Sequence, residues 1–80
     1  MEPLSTLHQI VASVLRVRAD EIGPDATMDT VDTWNSLTHI EFVTTLEERF
    51  AIQLTDDEIA GMTSLGQVQR VLRERGVLAP

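Results

Sequence analysis

Trp34-Asn35-Ser36-Leu37-Thr38-His39-Ile40-Glu41-Phe42-Val43-Thr44-Thr45-Leu46-Glu47-Glu48-Arg49-Phe50 decides the architecture of this chain. A long polar stretch gives way at Ser36 to an amphipathic one, and the spacing predicts a helix from Ser36 or Leu37 to Phe50. At about 100° per residue, Phe42, Val43, Leu46 and Phe50 fall on one side, with His39 on that side in the first turn. This is the expected core face. Leu37, Ile40, Glu41, Thr44, Glu47 and Glu48 fall on the other. A face meant only for water has little use for Leu37 and Ile40. Framed by glutamates, they form a surface suited to a partner with an apolar groove edged by Arg or Lys. Ser36 opens the helix, where free backbone N–H groups and the positive end of the helix dipole meet. Two roles fit. Ser36 or Asn35 caps the helix, or the Ser36 hydroxyl is an attachment point where a phosphate ester would sit in a favourable field. Position alone favours the cap.

Upstream, residues 19–35 form a connection too long for a compact domain unless it is functional or anchored. Ile22, Met28 and Val31 are the expected anchors, with a short helical turn from Ala19 to Ile22. Gly23-Pro24-Asp25 marks a turn. Before this loop, Leu4, Leu7, Val11, Val14, Leu15 and Arg18 repeat at helical spacing, with Ile10 and Val17 on the flank, predicting a helix from about Leu4 to Arg18. Ser5 or Thr6 is its expected cap, with Thr6 and Gln9 as a capping box. Arg16 and Arg18 are expected in its last turn, where cations suit the dipole.

Downstream, Ala51-Ile52-Gln53-Leu54 reads as an extended linker. Thr55-Asp56-Asp57-Glu58 is a capping box opening a short helix that Gly61 stops. Met62 is expected to return to the core. Ser64-Leu65-Gly66-Gln67 is a second such box, and Leu65, Val68, Val71 and Leu72 give the core face of a last helix. Arg70, Arg73 and Arg75 lie toward its C-terminal half, Gly76 ends it, and residues 77–80 form a tail. The expected fold is all-α: a small four-helix bundle of three main helices and one short one, with the longest loop between the first and second. Short helices are unstable alone, so their apolar faces must pack together. Residues 1–80 are expected to be a single domain.

Composition narrows the function. The 80 residues carry a net charge of −7. Eleven of the thirteen acids lie between Asp20 and Glu58, where Arg49 is the only base. Nucleic acid is not an expected partner, because phosphate backbones need a basic surface. Basic protein patches are. With no cysteine there is no disulfide framework or thiolate metal site. No apolar run approaches a membrane span and the start does not resemble a signal peptide, so a cytoplasmic monomer is expected. Asp25, Asp29 and Asp32 lack the register, central glycine and terminal glutamate of an EF-hand, so no metal is expected. His8 stands without ligand partners and reads as a boundary residue. A serine hydrolase built on Ser36 and His39 lacks a Gly-x-Ser-x-Gly elbow, an orienting acid and room for a pocket, so no catalytic residue is expected.

Asn35-Ser36-Leu37, Ile40-Glu41-Phe42-Val43 and Leu46-Glu47-Glu48-Arg49-Phe50 resemble the serine motif and second helix of acyl carrier proteins. Leu15 through Ile22, Asp25-Ala26-Thr27-Met28, Ile52 through Glu58 and Met62-Thr63-Ser64-Leu65 match that family's layout in order and spacing, so the resemblance covers essentially the whole chain. It implies a non-enzyme carrying a covalent 4'-phosphopantetheine arm, moved from coenzyme A onto Ser36 by a phosphopantetheinyl transferase. Acyl groups would travel as thioesters on that arm's thiol between acyl-loading and acyl-processing enzymes of fatty acid, polyketide or related synthesis. An aminoacyl or peptidyl carrier, or an unmodified scaffold of the same fold, are the alternatives. By the same resemblance Leu37, Ile40, Glu41, Thr44, Glu47 and Glu48 form the partner-docking face. Phe42, Val43, Leu46, Phe50, Leu65 and Val68 line the core that shelters an acyl chain. With it, attachment replaces capping as the expected role of Ser36. The family usually has Asp before the serine; here it is Asn35, an equally good cap, so the difference bears on modification rather than fold. Trp34 likewise replaces a small or polar residue, as in discrete carriers of specialised pathways; an aromatic there equally suits covering the loop against the core.

Overall fold

The computed structural model describes residues 3–18 and 21–78. Four helices follow one another: α1 (Pro3–Leu15), α2 (Ser36–Phe50), α3 (Asp56–Gly61) and α4 (Leu65–Glu74). No strand forms among the described residues; a lone antiparallel bridge joins Thr27 to Ser64. The expected small helical bundle is therefore observed.

The core is drawn from every helix except α3. Leu7, Ile10, Val11 and Leu15 of α1 meet Phe42, Val43 and Leu46 of α2 and Leu65, Val68 and Leu72 of α4, with Trp34, Leu54, Met62 and Leu78 between them. Burying these side chains is the main force holding the short helices together. The α2 core face is as the periodicity predicts, and Met62 does return to the core. Phe50 is half-buried against the cluster. On α1 the centre of the face moves: Ile10, expected on the flank, is fully buried, whereas Leu4 is exposed.

Several boundaries differ from the sequence expectation. The first helix starts at Pro3, so Ser5 and Thr6 lie inside it rather than capping it. Proline suits a first helical position, because its φ is preset and it needs no N–H partner there. The helix also ends early, because Arg16 adopts the left-handed conformation (φ 58°), which places Arg16 and Arg18 beyond the last turn. Of the short helical turn expected from Ala19 to Ile22, Ala19 and Asp20 lie outside the described residues; at Glu21 the backbone N–H donates to the Arg18 carbonyl at 3.0 Å. Ser64 caps α4 by accepting from the Gln67 N–H, but Gln67 does not complete the box; its Oε1 accepts from the N–H and hydroxyl of Thr63. The expected tail begins as a Schellman motif. The Val77 N–H reaches the Leu72 carbonyl at 2.8 Å, Gly76 (φ 77°) reaches Arg73 at 3.0 Å, and Leu78 is buried in the core.

The long loop is anchored in two ways. Ile22, Met28 and Val31 pack against the core as expected. In addition, the loop satisfies the orphan donors at the start of α4: Leu65 N–H donates to the Ala26 carbonyl (2.9 Å) and Gly66 N–H to the Pro24 carbonyl (2.8 Å). Gly66 permits this approach, because a Cβ there would stand 3.0 Å from the Pro24 oxygen.

Candidate functional site

The loop delivers the chain to α2 through Trp34, whose ring is 2% exposed and meets Phe42 edge-on at a centroid distance of 6.0 Å. Asn35 follows in extended backbone (φ −129°, ψ −174°), and its Oδ1 accepts from the N–H groups of Leu37 (3.0 Å) and Thr38 (3.1 Å). Thr38 Oγ1 accepts in return from the Asn35 N–H at 2.9 Å and donates to the Thr33 carbonyl at 2.7 Å. This is a complete capping box, and its cap is Asn35.

Ser36 is thereby relieved of the capping role. It is the first residue of α2, it is exposed, and neither its hydroxyl nor its N–H is hydrogen-bonded among the described residues. A nucleophilic hydroxyl thus stands free at the positive end of a 15-residue helix.

The sequence profile of the phosphopantetheine attachment site family matches residues 5–72. The chain belongs to that family. Its members carry 4'-phosphopantetheine covalently and interact with the enzymes that modify and process them; carrier domains of this kind are typically non-catalytic. The residues at the start of α2 fit the group. A phosphodiester needs an accessible hydroxyl and an environment that tolerates negative charge. Ser36 supplies the first, and the α2 N-terminus, neutral in its first turn, supplies the second.

The outward face of α2 lies beside this serine. Leu37 and Ile40 are 68% and 62% exposed, the most exposed large apolar side chains among the described residues. Glu41, Thr44 and Glu48 are exposed around them. Glu47 differs. It is half-buried, and its Oε2 accepts from the Leu54 N–H at 2.8 Å, tying the α2–α3 linker to α2. Thr44, Glu47 and Glu48 line an open groove of about 440 Å³ together with Ala51, Ile52 and Gln53.

His39 does not pair with Ser36. Its Nδ1 accepts from Trp34 Nε1–H at 3.1 Å and its Nε2 lies 3.0 Å from the Ile59 carbonyl, so both ring nitrogens are engaged. Sequence periodicity places His39 on the core side but gives no sign of either partner. Next to Ile59, Glu58 completes the α3 capping box with Thr55 and accepts a two-pronged ion pair from Arg75 at the end of α4, with Nε–Oε2 at 2.9 Å. The Arg75 hydrogen bond, with the Thr55 N–H, holds the Glu58 carboxyl down at about 2 and pushes the Arg75 guanidinium up. Among the described residues no group of three or more His, Asp or Glu side chains is placed to hold a metal, and no helix is long and apolar enough to cross a membrane.

Proposed function

We propose that residues 1–80 act as a single acyl carrier protein, modified at Ser36 and serving fatty acid, polyketide or related biosynthesis. The observation that carries this is the division of labour at the start of α2: Asn35 caps, and Ser36 is left free at the first helical position. When attached, 4'-phosphopantetheine supplies a terminal thiol for acyl groups at the end of a long arm. The protein's own residues anchor, orient and present it. Ser36 supplies the oxygen, and the α2 N-terminus favours the phosphate charge. Trp34 and the Asn35–Thr38 box fix the backbone on either side.

Partner enzymes meet α2. Leu37 and Ile40 offer apolar anchors, and Glu41, Thr44 and Glu48 a polar and acidic rim for basic patches on a transferase or on acyl-loading and acyl-processing enzymes. Glu47 belongs to this surface as a lining residue of the groove while bracing the linker. Phe42, Val43, Leu46, Phe50, Leu65 and Val68 form the apolar interior against which an acyl chain would be sheltered. The protein acts as a cytoplasmic monomer and is not itself a catalyst: His39, three residues on, is committed to Trp34 and Ile59 rather than to Ser36 as a general base. Incubation with a fluorescent coenzyme A analogue and a broad-specificity phosphopantetheinyl transferase, followed by peptide mapping, tests the assignment. Label on the peptide holding Ser36 is expected; label elsewhere, or on no peptide with several transferases, overturns it.

A further inference from the structure

Trp34, His39 and Ile59 form a relay that the carrier role does not use. An indole N–H only donates and a carbonyl only accepts. With Trp34 Nε1–H at 3.1 Å from Nδ1 and the Ile59 oxygen at 3.0 Å from Nε2, the imidazole must accept at Nδ1 and donate at Nε2, which is the neutral Nε2–H tautomer. His39 is 9% exposed and Trp34 2%, so neither can readily exchange its partner for water. Three segments meet at this ring: the loop that ends at Trp34, the first turn of α2, and α3.

We propose that His39 is a proton-operated latch on the loop that presents Ser36: protonation at Nδ1 releases Trp34 while the bond to Ile59 holds. A proton on Nδ1 sets two donors against each other and removes the acceptor of the buried indole N–H. The Nε2–H continues to donate to Ile59, now from a cationic ring, and that bond strengthens. The response is therefore one-sided. The α3 side stays fastened and the loop side opens, two residues from the serine.

The charged groups on the surrounding elements do not offer the indole a substitute acceptor. Asp32, in the loop two residues before Trp34, is exposed. Glu58, next to Ile59 on α3, is committed to Arg75 at the end of α4. On α1, the helix packed against α2, the titratable group is half-buried His8. One turn away along α2 and its cap, Asn35, Ser36, Phe42 and Val43 are uncharged. That this loop presents Ser36 for modification rests on the carrier role proposed above, but the latch does not, and it is read on the unmodified protein.

Trp34 is the only tryptophan and there is no tyrosine, so intrinsic fluorescence reports this relay alone. Lowering the pH from about 8 to about 5, the range in which imidazoles change charge, is expected to red-shift the emission in step with His39 protonation followed by NMR. Hydrogen-exchange protection of the Trp34 indole and backbone N–H should fall about tenfold, the equilibrium equivalent of one net hydrogen bond. The Ile59 and Met62 amides of the α3 region should keep their protection. His39→Gln retains a donor and an acceptor without a titrating proton and should respond flatly, whereas His8→Gln should behave as wild type. The latch is overturned if His39→Gln reproduces the wild-type shift. It is equally overturned if wild-type Trp34 protection is unchanged while the ring titrates, if α3 loses protection together with Trp34, or if the ring stays neutral throughout. The wild-type measurements decide the matter even if His39→Gln does not fold.

Discussion

Replacing Asn35 and Ser36 separately by alanine tests whether the cap at the start of α2 is Asn35 alone. Asn35→Ala removes one acceptor serving two N–H groups, at 3.0 and 3.1 Å. Both lie at an exposed helix end, where water can take over, so the loss is that of a cap, about 1 kcal/mol within a range of about 0.5–2, rather than the full penalty of a buried orphan donor. Half of the box survives, because Thr38 Oγ1 still accepts from the residue 35 N–H. Ser36→Ala breaks no hydrogen bond and places a better helix former at an exposed helical position, so its effect should lie between neutral and about 0.5 kcal/mol stabilising. The two variants should therefore differ by about 1 kcal/mol or more, which for a domain of this size is about 4–8 °C in Tm. Urea titrations should show the difference in the midpoint with the slope unchanged. Asn35→Asp should retain the cap and gain about 0.3–1 kcal/mol from a carboxylate at the helix N-terminus. If Ser36→Ala loses as much stability as Asn35→Ala, Ser36 is a structural residue and the division of labour at the start of α2 is wrong.

Three further outcomes follow from the same geometry. The Glu58 carboxyl is held at about 2 against an ordinary 4.5, so the Glu58–Arg75 pair contributes stability that is fully present above about 4.5 and is lost as the pH falls through about 2; acid-unfolding curves of Glu58→Gln should lack this component, and a curve matching wild type would exclude the linkage. Ala51 ends α2 in the left-handed region (φ 54°, ψ 47°), so Ala51→Gly should raise stability by about 0.5–1 kcal/mol after the greater entropy of the unfolded chain is counted; a fall in Tm would contradict it. Glu41→Ala should leave stability within about 0.5 kcal/mol of wild type and weaken partner binding in a salt-dependent way, whereas Glu47→Ala should also lose about 1–2 kcal/mol, because the Leu54 N–H loses its acceptor. Equal stabilities for the two variants would rule out the Glu47 brace.

The helices were legible where periodicity was strong. The two faces of α2 and the Thr55–Glu58 box depend on residues three and four apart, which a linear sequence shows directly. The α1 boundaries differ from the periodicity, because Pro3 opens the helix ahead of Ser5 and Thr6 and Arg16 ends it in a conformation that glycine normally signals. The bond between His39 and Ile59, 20 residues apart, and the burial of Leu78 arise from tertiary packing that leaves no local pattern. At the site, the sequence could not choose between Asn35 and Ser36 as cap, since both are good ones. The choice depends on the extended backbone at Asn35, which turns its Oδ1 onto Leu37 and Thr38 and leaves Ser36 outside the box.

The most direct test of the carrier assignment is intact mass after incubation with coenzyme A and a broad-specificity phosphopantetheinyl transferase. The wild-type chain should gain the mass of one phosphopantetheine, and Ser36→Ala, folded and at least as stable, should gain none. A gain on Ser36→Ala, or no gain on the wild type with any of several transferases, would contradict it.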